Sequence, residues 1–168
     1  MTFKADILKG KTALVTGGGT GICRGLSLAL AESGCDVAIT SRKAEHLEST
    51  REDLEALGVR ALALAGDVRD PDSVDDTVAR TVDAFGRLDI LINGAAGNFL
   101  CRAEDLSPNG FGTVVDIDLK GTFHMCRAAL PHLKNQGGVI LNISATLHYL
   151  GTVAQLHVSS AKAGIDAL

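Results

Sequence analysis

Short apolar runs alternate along the chain with segments whose apolar positions recur every three to four residues. The runs at 12–16, 36–40, 60–65, 89–93 and 138–143 are predicted strands. They are apolar throughout rather than alternating with polar residues, as burial on both faces requires. Helical spacing predicts helices over 22–33, 44–57, 71–85 and 109–134, and one more starting near 157. The period is clearest in Val74, Val78, Val82 and Phe85, with Asp70-Pro71 as cap and first-turn proline and Gly86 as stop. Gly58 ends the second helix in the same way. Strand–helix alternation implies right-handed crossovers, so the expected fold is an α/β doubly wound parallel sheet with helices on both faces. No repeat or linker interrupts the pattern, and residues 1–168 are expected to form a single domain.

The first strand runs into Thr16-Gly17-Gly18-Gly19-Thr20-Gly21-Ile22, and a helical period opens at Ile22, Leu26, Ala29 and Leu30. A glycine turn between a strand and a helix aims backbone N–H groups and the helix N-terminus at an anion. Glycine is needed there because side chains would block the close approach of a phosphate. In an alternating strand–helix chain this is the mark of a nucleotide site.

Composition narrows the function. The chain has 168 residues, 46% hydrophobic and 21% charged, with a formal net charge of −4. Without a basic cluster, neither nucleic acid nor an anionic membrane is an expected partner. No apolar run reaches membrane-span length, and the N-terminus lacks the apolar core of a secretion signal. The cysteines Cys23, Cys35, Cys101 and Cys126 form no CxxC and show no metal spacing with the histidines, so no metal is expected. They read as reduced thiols of a cytoplasm-like compartment, with Cys35 and Cys126 as small packing residues.

Ligands of such sheets bind at the carboxyl ends of the strands, near the switch in strand order. After the second strand comes Ser41-Arg42-Lys43. A site for plain NAD usually places an acidic residue there; a cation suits the extra phosphate of NADP. Gly66-Asp67-Val68-Arg69 follows the third strand, Asn93-Gly94-Ala95-Ala96-Gly97-Asn98-Phe99 the fourth and Asn142-Ile143-Ser144-Ala145-Thr146 the fifth.

Taken together, these pieces resemble the short-chain dehydrogenase/reductase family, with its Rossmann-type sheet. Thr16 to Ile22 matches the family's glycine turn, and Asp67-Val68 matches its adenine contact. Asn93 to Gly97 matches its NNAxG segment, and Ser160-Ala161-Lys162-Ala163 its lysine helix. The resemblance implies a nicotinamide dinucleotide held by Gly17, Gly18, Gly19, Thr20, Gly21, Ile22, Arg42, Asp67, Val68, Asn93, Gly94, Ala95 and Lys162. Cys23 departs from the pattern, standing where the family usually has its third glycine, which puts cofactor affinity in question.

Catalysis departs further. The family's general acid is a tyrosine four residues before the lysine; that position is Val158, and the serine position holds Ala145. Interconverting an alcohol and a ketone needs that proton donor. The 2,4-dienoyl-CoA reductases of the peroxisomal type and their bacterial relatives tolerate the loss, and the chain resembles them closely. The matching segments are Ala95 to Cys101, Leu106 to Asn109, Asp116-Ile117-Asp118 and Asn142 to Leu147. The resemblance implies NADPH-dependent reduction of a 2,4-dienoyl-CoA to a 3-enoyl-CoA in β-oxidation. The proton would come from a water held by Asp118 and Lys162.

The residues themselves agree. Phe111, Val115, Asp118, Thr122 and Met125 fall on one helical stripe, so Asp118 lies on an apolar face and must be paired or protonated. Asp116 and Lys120 lie off that stripe and read as surface charges. Lys162 sits among small residues that let its helix approach a neighbour or a cofactor closely. His157 and Tyr149 are rival acids by sequence distance, and the resemblance gives neither a catalytic position.

For substrate, the resemblance places Phe99 against the acyl chain and Arg69 and Arg42 toward CoA phosphates. Ser107 and Asn109 serve as helix caps that also touch substrate. It further implies a homotetramer, and a peroxisomal location in a eukaryote. Family members carry two more strands, 6 and 7, so the expected strand order here is 3-2-1-4-5. Its exposed edge would make this polypeptide prone to poor folding and aggregation. Two other readings share these residues. One is a different short-chain reductase, such as a 3-oxoacyl reductase, using water or Ser159 as acid; the other is a non-catalytic NADP-binding fragment.

Overall fold

The computed structural model describes residue 4 and residues 6–168; residues 1–3 and 5 of the expected domain lie outside it. Five parallel strands form one sheet: β1 (Thr12–Thr16), β2 (Asp36–Ser41), β3 (Ala61–Ala65), β4 (Ile90–Asn93) and β5 (Val139–Asn142). Their order is β3-β2-β1-β4-β5, as the sequence leads one to expect. The register sets Ala13 beside both Val37 and Ile90, and Ile90 beside Val139. Successive residues of each strand supply opposite faces. Val15, Val37, Ile39 and Ile92 pack under helices α1 (Gly21–Glu32) and α2 (Glu45–Ala56). Leu14, Ala38 and Leu91 pack under α3 (Pro71–Phe85) and a long helical segment that follows β4. β5 is an edge strand, with Val139 60% and Leu141 45% exposed. No described helix is long and apolar enough to cross a membrane.

The segment after β4 is not the one continuous α-helix expected over 109–134. It comprises α4 (Pro108–Val115), a π-helical turn (Asp116–Lys120) and α5 (Gly121–Gln136). Contacts from outside the helix fall just after that turn. Gly121 passes so close to the β3–α3 loop that a Cβ would sit 2.6 Å from Val68 Cγ2, while His124 Nδ1 pairs with the Val68 carbonyl at 3.0 Å. The wider turn brings Val114, Ile117 and Asp118 inward, leaving Phe111 and Val115 half-buried. A four-residue helix α6 (Leu147–Leu150), too short to show a period, precedes α7 (Leu156–Ala167).

The caps of α3 stand as expected: Asp70 accepts from the Asp72 N–H, and Gly86 takes the left-handed conformation. Ser107 caps α4 by accepting from Gly110 N–H at 3.0 Å. Asn109 is no cap, because the helix has already begun at Pro108.

At the amino end of the sheet Asp89, 4% exposed, accepts from Arg87 at 2.6 and 2.7 Å, from the Thr12 N–H at 3.0 Å and from Lys11 at 3.1 Å. Burial alone would push its carboxyl up, but Arg87, the Thr12 amide and Lys11 outweigh it and hold the group below its ordinary 3.8. A lowered folded value contributes stability above the unfolded value, and that stability is lost as pH falls through the folded one. Asp89→Asn is therefore expected to melt lower at pH 7 and to lose less stability than the parent below about pH 4. Melts across pH 2–7 check this; parallel curves would contradict it.

Candidate functional site

At the carboxyl ends of the strands, where β1 turns one way to α1 and β4 the other way to α4, lies an open cleft of about 450 Å³. Thr16 ties the end of β1 to the loop after β4: its Oγ1 accepts from the Gly94 and Ala95 N–H groups, both at 3.0 Å. Gly17 N–H donates to Thr40 O at 2.8 Å, and its φ of +71° calls for glycine. Gly19 runs against the start of α2, where a Cβ would collide with the His46 carbonyl oxygen.

Not every glycine-turn residue faces the cleft. Gly17, Gly19, Thr20 and Ile22 line it. Gly18 instead lies against Ile39, whose Cγ2 would be 2.6 Å from an added Cβ. Gly21, at φ +54°, serves the turn into α1. Cys23 lines the cleft and also fills the space beneath Gly94, where any Cβ would strike its sulfur. The departure from glycine is thus accommodated by a glycine just after β4. Burial pushes the Cys23 thiol up, against the nearby Lys162 charge.

Arg42 and Lys43 are exposed at the cleft rim, with Asp67 and Val68 across from them. Arg69 is engaged with Asp67: its Nε lies 3.0 Å from both carboxylate oxygens and its Nη2 2.5 Å from one. The guanidinium holds the Asp67 carboxyl below the usual range. Asn93, also expected in the cleft, is aimed elsewhere. It is buried and donates to Asn142 Oδ1 at 2.9 Å and Cys126 Sγ at 3.3 Å, joining the ends of β4 and β5.

Beyond the cleft the structure brings Asp118 and Lys162 together. Asp118, carried by the π turn, is wholly buried; its Oδ1 accepts from Gly97 N–H at 2.7 Å. Lys162, on α7, is 7% exposed, and its ammonium donates to Ile143 O at 2.8 Å. The ammonium lies 3.4 Å from Asp118 Oδ2, an ion pair that leaves Oδ2 without a hydrogen-bond partner among the described residues. Burial pushes the Asp118 carboxyl up; the Gly97 amide, Lys162 and His157 only partly offset it. The pair therefore offers a cation beside a carboxyl biased toward keeping its proton, which suits proton delivery.

Val158 is buried and offers no proton, and Ser144 Oγ is buried with no hydrogen-bond partner among the described residues. Phe99 is 42% exposed on the loop after β4, its ring centroid 4.4 Å from that of His157. That loop is tied to the start of α7 by Asn98 to Gln155 at 2.9 Å and by Cys101 N–H to Ala154 O at 3.0 Å. Tyr149 faces Asp166, with its OH donating at 2.6 Å. His157, which sequence reasoning set aside, is fully buried beside this group. Only its nonlocal contact with Phe99 marks it out.

Comparison with known proteins agrees with the geometry. The sequence model of the short chain dehydrogenases matches residues 11–168. The chain is 49% identical, over 98% of its length, to the peroxisomal (3E)-enoyl-CoA-producing 2,4-dienoyl-CoA reductase of Arabidopsis thaliana. It is 47% identical, over 99%, to the protein of the same description from Saccharomyces cerevisiae. It spans 58% and 59% of those two proteins. A crystal structure of NAD+-bound xylitol dehydrogenase superposes with a TM-score of 0.92 at 30% identity, covering 95% of this chain and 62% of that one. With the glycine turn, the strand order and the lysine helix all in place, the chain belongs to the short chain dehydrogenase family.

Proposed function

We propose that the intact protein is an NADPH-dependent 2,4-dienoyl-CoA reductase that produces 3-enoyl-CoA. The observation that carries this reading is the buried Asp118–Lys162 pair beside Val158, a proton-handling group without a hydroxyl acid. The relatives named as 2,4-dienoyl-CoA reductases support the same reaction, and residues 1–168 would act within it as one dinucleotide-binding unit.

The cleft suits a nicotinamide dinucleotide. Gly17, Gly19 and Thr20, at the N-terminus of α1, would take the pyrophosphate, since the turn leaves no Cβ in its path. Asp67 and Val68 would flank the adenine, the Gly94-Ala95 backbone would border the nicotinamide, and Lys162 would reach its ribose. Arg42 would pair with the 2′-phosphate of NADPH. When bound, the nicotinamide supplies a hydride to the far end of the conjugated diene. Lys162 and Asp118 then hold the water that protonates the carbon next to the thioester. The thioester oxygen is stabilised rather than reduced, so the chemistry needs no tyrosine. Phe99 would lie along the acyl chain, Arg69 and Arg42 would meet CoA phosphates, and Ser107 and Asn109 would border the substrate. A homotetramer, and a peroxisome in a eukaryote, complete the reading.

The test is cofactor oxidation by the intact protein with 2,4-hexadienoyl-CoA and, separately, acetoacetyl-CoA. Turnover of the dienoyl substrate alone is expected. Turnover of the ketoacyl substrate instead would assign a 3-oxoacyl reductase. NADPH binding without either turnover would assign a non-catalytic binder. On the same assay Arg42→Ala is expected to raise KM for NADPH about 30-fold while moving KM for NADH less than about twofold, reflecting one lost charge-assisted contact. Equal shifts with both cofactors would remove Arg42 from phosphate recognition.

A further inference from the structure

The reductase reading leaves one buried polar group unused. His157 is wholly enclosed, and neither its Nδ1 nor its Nε2 has a hydrogen-bond partner among the described residues. One face of its ring is taken by Phe99 at 4.4 Å. α7, which carries His157, packs against α4 and against the π turn that carries Asp118. Asp118 Oδ2 is itself without a hydrogen-bond partner among the described residues, as is Ser159 Oγ on the same helix. Buried polar atoms are nearly always satisfied, and those that are not mark sites completed by something else. An apolar ring would fill this space with no unpaired nitrogen.

We propose that His157 is a positioning residue for the protonation step, one ring nitrogen hydrogen-bonding the water that Asp118 and Lys162 hold; this rests on the reductase reading above. Asp118 and Lys162 each approach that water from one side, and His157 adds a third, fixing which O–H points at the substrate. In the step the dienolate's electron pair forms the C–H bond at the carbon next to the thioester as the water's O–H bond breaks. The Asp118 carboxyl returns a proton to the hydroxide, and solvent reprotonates Asp118. His157 ends in the state in which it began. Phe99, stacked on the ring, links its orientation to occupancy of the acyl channel.

The experiment compares the intact wild type with His157→Phe, which keeps an aromatic ring against Phe99 but removes both nitrogens, and with His157→Gln, which restores a polar group. Expected for His157→Phe are unchanged melting temperature and NADPH affinity, KM for 2,4-hexadienoyl-CoA within about twofold, and kcat lower by about 10- to 100-fold. The solvent deuterium isotope effect should grow, and His157→Gln should recover part of kcat. Wild-type kcat in His157→Phe overturns the inference while leaving the reductase reading intact. So does an equal kcat loss in both variants that tracks a lowered melting temperature. If His157→Phe does not fold, His157→Leu carries the same comparison. A wild type inactive on the dienoyl substrate overturns the reductase reading and this inference with it.

Discussion

Asp118→Ala is expected to lower turnover of the dienoyl substrate roughly 10³-fold, within the range for a lost proton-transfer group. It is also expected to cost about 3 kcal/mol of stability, because the Gly97 N–H and the Lys162 ammonium are left buried without the carboxyl they face. Asp118→Asn separates the two effects: its amide oxygen still accepts from the Gly97 N–H, so stability falls less while turnover is lost as fully. Lys162→Met should also lose turnover but be milder in stability. Without the cation, Asp118 simply keeps its proton in a site that already pushes its carboxyl up. The pH dependence follows. A folded value raised above the ordinary 3.8 gives stability that is full below the unfolded value and lost as pH rises through the folded one. Asp118→Asn, which cannot ionise, should flatten the decline of melting temperature above the ordinary carboxyl range, the reverse of Asp89→Asn at the other end of the sheet. Assays and melts of the three variants check this. Wild-type turnover in Asp118→Ala would dismiss the carboxylate.

Gly19→Val is expected to weaken NADPH binding about 100-fold while the protein still folds. A Cβ at Gly19 collides with the backbone carbonyl of His46, which no rotamer change can relieve, so the start of α2 must move away from the turn. Overpacking of this kind costs about 1–3 kcal/mol, and each ~1.4 kcal/mol charged to the closed turn is tenfold in affinity. Gly25→Ala is the control: nothing lies within 4 Å of its added Cβ in the middle of α1. It should leave NADPH affinity unchanged and raise stability by about 0.5–1 kcal/mol. Titration of both variants with NADPH is the measurement. Equal affinities would mean the turn does not hold the phosphates.

The sheet was legible because burial on both faces leaves short, wholly apolar strands, and glycine and proline mark the ends of the helices between them. β1 and β4 stand within a residue of where their patterns place them. The π turn was not legible. It coincides with the approach of Gly121 to Val68, a contact between segments more than fifty residues apart, and it moves the buried positions before it from Phe111 and Val115 to Val114 and Ile117. Within the site, Asp118 and Lys162 could be picked out because a carboxylate on an apolar stripe and a lysine among small residues each need a partner. Asn93 misled because strand-end position says nothing of side-chain direction. Its register partner Asn142, likewise the last residue of its strand, was the available signal that the two amides pair across the sheet. Cys23 looked like an obstruction until the structure set it under Gly94, whose missing side chain, just after β4, leaves room for the sulfur. His157 carried no local signal at all, since its enclosure depends on Phe99 from the distant β4 loop.

The central claim is that a carboxyl–lysine pair delivers a proton to carbon in a site where Val158 stands in the place of a tyrosine. The most direct measurement is the position of label in the product after turnover of 2,4-hexadienoyl-CoA with deuterated NADPH in water and, separately, with NADPH in D2O. The account predicts a 3-enoyl-CoA with cofactor deuterium at the far end of the former diene and solvent deuterium at the carbon next to the thioester. Solvent label should fail to accumulate with Asp118→Asn. Cofactor deuterium on a carbinol carbon, with no solvent deuterium at the carbon next to the thioester, would mean a carbonyl is reduced and would contradict it.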